Sequence, residues 1–446
     1  MIQNKLSRRL SAGVAMMLCA GVMTFGASGL ASAAPKTPGV TATQITIGAT
    51  VPITGIASPG YSDVSRAANA VFNYVNKKGG VNGRKIKYIL KDDCYGTPGF
   101  GCTGIPNTAT QTRALLSAGV FATVGSLGTP TQDSVRTLLN SNHVPQLYVN
   151  SGSLDWNNPT KYPGLFGWQT SYNEEGKIFA QYISATYPTA NVCYLGQGDD
   201  FGSDGLAGLV AGGVTPMDEQ LYSVGALVVT QGASIAPYVA RFQSDKCTVV
   251  VLDTIPGATD ATLGAALKLG YSPHWIISSV GADPVTVDQP FASLPIPDPE
   301  IGAVSFSYLP ASSATNAWNA WDRKVLLADK KDFPNFTATS PITGNMTYGI
   351  GFAVAFVEAL KATGKTVTRA GFLKTLTHLT LSQTPALTPL RYTPTNHQGL
   401  SGGYLVKVTS SSATAALNGQ VYTTDSGSGP VVKTKAVAPS IPAWLK

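Results

Sequence analysis

From residue 44 onward, short apolar runs alternate with stretches of helical period, and this alternation constrains the fold more than any other feature of the chain. Gln44-Ile-Thr-Ile-Gly-Ala-Thr-Val51 reads as a strand, and Val64, Ala67, Ala68, Val71, Phe72 and Val75 mark one face of a helix that ends at Gly79-Gly80. Lys85-Ile-Lys-Tyr-Ile-Leu90 alternates again and stops at Asp92-Asp93. A helical pattern over 108–117, a short apolar run over 119–124, a helix over 132–140 and a strand over 144–149 follow. The order βαβαβαβ requires crossover helices and a parallel sheet. A second series starts near Tyr172: helix 174–187, strand 191–195, a glycine-rich helix 202–213, strand 220–229, helix 234–243, strand 248–252, helix 259–269 and strand 274–279. The same topology is written twice without an evident sequence repeat. The 446 residues exceed one ordinary domain, so the chain is expected to be α/β, with two doubly wound parallel-sheet lobes.

Composition enters at the amino terminus. Lys5, Arg8 and Arg9 precede an apolar, small-residue run over 10–30, and Ala31-Ser32-Ala33 has the small-x-small pattern of a cleavage site, so residues 1–33 read as a signal peptide. Gly, Ser and Thr interrupt that run, which argues against a membrane anchor. Arg8-Arg9 leaves twin-arginine export open, although Ser11 and Ala12 are poor substitutes for the apolar pair that usually follows. The leader holds three basic and no acidic residues, so its removal lowers the formal charge from +7 to 7 − 3 = +4. That is too mild to imply nucleic acid or an anionic membrane as partner. Four cysteines remain after the leader. Cys94 and Cys102 flank a Gly/Pro-rich loop, while Cys193 and Cys247 each open a short apolar run. Two runs in one parallel sheet bring their starts together, and export implies an oxidising compartment, so disulfides Cys94 to Cys102 and Cys193 to Cys247 are expected, free buried thiols being the alternative. No His/Cys cluster has the spacing of a metal site, and no metal or cofactor is expected.

The stretch Val124-Gly125-Ser126-Leu127-Gly128-Thr129-Pro130-Thr131 joins a strand to a helix. Such a turn places backbone N–H groups and hydroxyls at a helix N-terminus, where partial positive charge favours an anion such as a carboxylate. It lacks the lysine of a nucleotide-binding GxxxxGK[ST] loop. It is also a plain connection open to any α/β protein. The four histidines, His143, His274, His378 and His397, form no HExxH, no GxSxG elbow is present, and Gly196-Gln-Gly198 with Gly202 misses the dinucleotide spacing by one residue. The chain is therefore expected not to be an enzyme.

Ile47-Gly-Ala-Thr-Val-Pro-Ile-Thr-Gly55, Val75-Asn-Lys-Lys-Gly-Gly-Val-Asn-Gly-Arg84 with Asp92-Asp93, the 124–131 turn, Tyr148-Val-Asn-Ser-Gly-Ser-Leu154 and Asp199-Asp-Phe-Gly-Ser-Asp-Gly205 appear in an order that resembles the type I periplasmic solute-binding proteins of ABC importers, within them the leucine/isoleucine/valine-binding group. The resemblance covers about residues 44–408. It implies two lobes joined by a three-crossing hinge, with crossings near 167–172, 303–308 and 389–392, and solute trapped as the lobes close. Lobe 1 is then 44–169 plus 309–389, lobe 2 is 170–304 plus 390–422, and the Ser/Gly-rich segment 423–446 is a flexible tail. The resemblance also implies a site: Thr129, Ser151, Gly152 and Ser153 holding a ligand carboxylate, Phe201 closing over the ligand from the second lobe, and Tyr61 and Thr254 lining the cleft. Each has a second use: Thr129 and Ser153 as helix N-caps, Phe201 as core, Tyr61 as surface.

One departure concerns the ligand. Amino-acid binders of this group present an acidic residue to the ammonium after the strand that here reads His274-Trp-Ile-Ile-Ser-Ser279, whereas this chain has Val280-Gly281 there. Either Asp283 or Asp253 substitutes, or the ligand is not an α-amino acid, because an unpaired ammonium in a closed cleft is costly. Amides, small carboxylates and aromatic acids remain open. The resemblance thus implies an exported, periplasmic or extracellular, monomeric protein that delivers an amino-acid-like or carboxylate ligand to an ABC transporter permease. The alternative is a soluble ligand sensor of the same fold that signals through a separate receptor.

Overall fold

The computed structural model describes residues 37–96, 102, 104–424, 426–437 and 440–446. The leader expected over 1–33 lies outside the described residues. The first series forms β1 (Gln44–Val51), α1 (Ser58–Lys77), β2 (Lys85–Asp92), α2 (Thr108–Ser117), β3 (Thr123–Val124), α3 (Thr129–Ser141), β4 (Gln146–Val149) and β5 (Leu165–Gly167). The second forms α4 (Tyr172–Thr186), β6 (Val192–Gln197), α5 (Asp200–Ala211), β7 (Asp218–Tyr222), α6 (Val224–Val229), α7 (Ala236–Ser244), β8 (Val249–Asp253), α8 (Pro256–Leu269), β9 (His274–Ile277), α9 (Pro284–Val287) and β10 (Val304–Ser307). Then come α10 (Ala317–Ala328), α11 (Gly344–Thr363), α12 (Arg369–Leu376), β11 (Thr380–Leu381), β12 (Leu390–Arg391), β13 (Tyr404–Ser410), β14 (Ala413–Ala416), β15 (Val421–Thr423) and β16 (Val432–Thr434).

Two sheets organise the two lobes. The first has order β2-β1-β3-β4-β5 and is parallel throughout. The second has order β14-β13-β10-β9-β8-β6-β7, parallel from β10 to β7, with β13 and β14 added antiparallel at one edge. Both faces of the first sheet are covered, as a parallel sheet requires. Ile45, Ile47, Ala49 and Val51 of β1 pack towards α1 and α11, while Leu115, Val135 and Leu139 of α2 and α3 pack on the opposite face. The α1–α11 contact is close because Gly349 has no side chain: a Cβ there would lie 2.0 Å from the Val64 carbonyl oxygen. In the second lobe α4 and α5 approach in the same way through Gly176 and Gly208, which explains the glycine-rich helix.

The disulfides Cys94–Cys102 and Cys193–Cys247 form as expected, with Cα separations of 6.1 and 5.8 Å. The second follows from register, since β6 and β8 are parallel neighbours with Val192 opposite Val249. Two expectations are corrected. The apolar run 220–229 is not one strand: β7 ends at Tyr222, the Ser223 hydroxyl accepts from the Ala226 N–H, and 224–229 turns into α6. Nor is the described part of the tail free. β15 and β16 pair as a hairpin, and Leu445 is buried with its carbonyl accepting from Trp321 Nε1 and the Tyr74 hydroxyl. A few large apolar side chains anchor this otherwise polar segment, which composition averages hide.

Candidate functional site

The carboxyl ends of both sheets face a cavity between the lobes, of about 50 Å³. Lobe 1 contributes the turn before α3. Gly128 takes the N-cap position at φ 110°, a left-handed conformation suited to glycine, and a Cβ there would meet the Tyr95 ring at 3.0 Å. Thr129 is the first helical residue. Its hydroxyl lies 2.7 Å from the Ser151 hydroxyl and 3.5 Å from the Tyr172 hydroxyl, so Thr129 is not an N-cap. The first N–H groups of α3 have no partner within the helix, and the helix dipole adds to their pull on an anion.

Tyr61 also lines the cavity. Pro59 and Gly60 break the first turn of α1, and the Tyr61 hydroxyl then donates to the Val280 carbonyl of the other lobe at 3.1 Å. Phe201 lies against Tyr172 at 4.5 Å between ring centroids, both lining the cavity. Further bonds cross between the lobes: Gln197 Nε2 donates to the Tyr95 hydroxyl at 3.3 Å, and the Leu154 N–H donates to Asp204 Oδ2 at 2.8 Å. The lobes are closed over the cavity.

Not every expected residue reaches it. Ser151 stands one hydrogen bond behind Thr129. Gly152 lets the turn pass under Tyr172, where a Cβ would come 2.9 Å from the ring. The Ser153 hydroxyl caps a short 3₁₀ turn by accepting from the Asp155 N–H, which is the bland use of such a residue. Thr254 pairs with the Thr259 hydroxyl at 2.7 Å, buried and off the cavity wall. Asp253 accepts from the Tyr194 hydroxyl beneath the floor, and Asp283 caps α9 beside a neighbouring cavity. Sequence reasoning missed Tyr95, Tyr172, Gln169, Ser279, Tyr308 and Tyr348. Tyr172 and Tyr308 stand in the crossings the sequence does place, and that position is the signal that could have found them. Tyr348 donates to Gln169 Oε1 at 2.9 Å, and Gln169 Nε2 is buried without a partner among the described residues.

Among the described residues that line the cavity, none is charged. One hydrogen bond behind the wall stands Glu175, which accepts from the N–H and the hydroxyl of Ser279 at 2.7 and 2.9 Å. Burial, with the Asp253 carboxyl nearby, pushes Glu175 up to about 8, and burial pushes Asp253 up to about 7. At neutral pH Glu175 therefore mostly keeps its proton and offers little charge to an ammonium. The unfolded chain releases such protons near pH 4. The folded state holds them longer, so stability falls as pH rises from there through 8. Buried His397, lowered to about 4, acts in the opposite direction below about pH 6.5. Urea midpoints are therefore compared between pH 6.5 and pH 8.5. The native protein is expected to lose stability over this interval and Asp253→Asn to lose less; equal slopes would refute the assignment.

Two wound α/β lobes closed over an uncharged, tyrosine-lined cavity define a bilobed ligand-binding protein. The sequence profile of the family described as periplasmic binding protein matches residues 44–414, and the chain belongs to that family, one of binding proteins rather than enzymes. No curated protein matched the sequence. Solved structures share the fold at low identity. A branched chain amino acid ABC transporter protein from Thermus thermophilus with bound valine is 17% identical with a TM-score of 0.66, covering 90% of this chain and 98% of that one. A solute binding protein of an ABC transporter from Rhodopseudomonas palustris BisB5, in complex with 3,4-dihydroxy benzoic acid, is 18% identical with a TM-score of 0.66, covering 89% and 98%. A fatty acid ABC transporter substrate-binding protein from Thermomonospora curvata is 18% identical with a TM-score of 0.66, covering 92% and 96%. No helix among the described residues is long and apolar enough to cross a membrane.

Proposed function

We propose that this chain is an exported solute-binding protein that captures a small carboxylate with an apolar or aromatic body and passes it to an ABC importer. The carrying observation is the uncharged cavity wall: Thr129 and the N-terminus of α3 can receive a carboxylate, while no acidic side chain among the described residues lines the cavity to meet an α-ammonium. Tyrosine and phenylalanine rings offer flat apolar surface, and the unpartnered Gln169 Nε2 offers a donor to an oxygen of the ligand. The dihydroxybenzoic acid and fatty acid of the two structural neighbours are of this chemistry, whereas the valine of the third is not.

A thermal-shift screen with benzoate, 4-hydroxybenzoate, hexanoate, valine and leucine tests the reading. Acids without an ammonium are expected to raise the melting temperature and the amino acids not to do so. Shifts from valine and leucine alone would overturn it. Thr129→Val with Ser151→Ala is expected to weaken a bound acid by about 1 to 3 kcal/mol, roughly a 5- to 150-fold rise in Kd by calorimetry. Unchanged affinity would place the carboxylate elsewhere.

A further inference from the structure

A second cavity, of about 100 Å³, adjoins the first and shares Ser279, Tyr308, Asn345 and Tyr348 with it. Its wall is built from α9, β10 and the N-terminus of α11, and it differs in polarity from the first. Asp283 lines it and makes no ion pair among the described residues. Its Oδ1 accepts from the Val285 N–H at 3.1 Å and its Oδ2 weakly from the Asn345 N–H at 3.4 Å, so acceptor capacity remains. Ser305, on the same wall, is 2% exposed, and its hydroxyl has no partner among the described residues. The buried Nδ2 of Asn345, which borders both cavities, has none either. Orphaned buried polar groups are costly and uncommon, and two of them beside the Asp283 carboxyl around one space indicate a polar occupant. Among the described residues, no Lys, Arg or His lines either cavity.

The two spaces thus have opposite ends: a helix N-terminus that attracts an acid, and a carboxylate with a hydroxyl and an amide that attract a donor. Tyr308 and Tyr348, 5.9 Å apart between ring centroids, stand between them. An α-amino acid carries its ammonium one carbon from the carboxylate, and Asp283 does not line the first cavity, so such a ligand cannot use both ends. We infer that the ligand runs from Thr129 past Tyr308 and Tyr348 into the second cavity, where Asp283, Ser305 and Asn345 receive a distal hydroxyl or ammonium. The inference rests on the carboxylate reading above and narrows it to elongated acids with a hydrogen-bond donor at the far end.

Calorimetry with hexanoate, 6-hydroxyhexanoate and 6-aminohexanoate separates the two ideas. Both substituted acids are expected to bind roughly tenfold or more tightly than hexanoate. Asp283→Asn, which keeps a side chain able to cap α9, is expected to remove most of the 6-aminohexanoate advantage while leaving hexanoate within about threefold. Ser305→Ala, which removes no cap, is expected to reduce the 6-hydroxyhexanoate advantage. If hexanoate and benzoate bind but the distal group adds nothing, or if Asp283→Asn weakens hexanoate equally, the two-ended site is refuted and the carboxylate reading stands. If neither hexanoate nor benzoate nor their substituted forms bind, both readings fall together.

Discussion

Replacing Cys193 and Cys247 together by alanine is expected to lower the stability by about 4 kcal/mol. The bridge joins residues 54 apart in sequence, and closing a loop of that size removes about this much conformational freedom from the unfolded chain. In the folded state the loss is small, because β6 and β8 are already aligned by ladder hydrogen bonds from Val192 opposite Val249 to Gly196 opposite Asp253. The effect therefore acts almost wholly through the unfolded state. Urea unfolding of the oxidised native protein and the double variant measures it, and a midpoint change worth less than about 1 kcal/mol would contradict the loop argument. The Cys94–Cys102 bridge spans only 8 residues and should contribute about 2.5 kcal/mol by the same relation. Its loss should be felt more in binding, because Tyr95 follows Cys94 directly, holds φ 60° and lines the ligand cavity. A residue in that backbone region persists only where its surroundings enforce it.

Gly349→Val is expected to cost about 3 kcal/mol or more and to weaken ligand binding as well. A Cβ at 349 would lie 2.0 Å from the Val64 carbonyl oxygen and 3.2 Å from the Ala67 Cβ, so α1 and α11 must separate. Neither obstruction can swing away, since one is helix backbone and the other a methyl group at its root. The two helices also carry Tyr61 and Tyr348 into the cavity, so their separation displaces both rings. Gly264→Ala is the control. It lies within α8, its nearest heavy atom would be 3.7 Å away, and alanine should stabilise it by about 0.4 to 1 kcal/mol. Thermal and urea unfolding distinguish the two substitutions. Similar small effects from both would show that the α1–α11 contact yields more easily than its geometry implies.

Much of the architecture was legible because its causes are local. Alternation in 44–51 and 85–90 and the helical stripe from Val64 to Val75 are periodicities of the chain, and they reappear as β1, β2 and α1. The run 220–229 misled because valine suits a buried strand or helix alike, and the deciding bond, Ser223 to Ala226, is a cap that breaks the apolar run. Tyr61, Thr129 and Phe201, which the resemblance implies, do line the cavity, where turns after parallel strands face the switch between lobes. Thr254 follows a strand in the same way, yet its hydroxyl turns to Thr259.

Order and periodicity along the chain settled the two wound lobes, the parallel sheets and the cysteine pairing, since each follows from neighbours in sequence or from strands that must start together. Only the folded molecule decided which side chains share the cavity. Tyr348 meets Gln169 across 179 positions and Tyr61 meets Val280 across 219, contacts set by tertiary packing and, for Tyr61, by how the lobes close rather than by any local pattern. The uncharged wall and the lone Asp283 beside it are likewise properties of that closure. Hydroxyls, amides and rings have many uses in a chain, and burial against specific neighbours selects one of them.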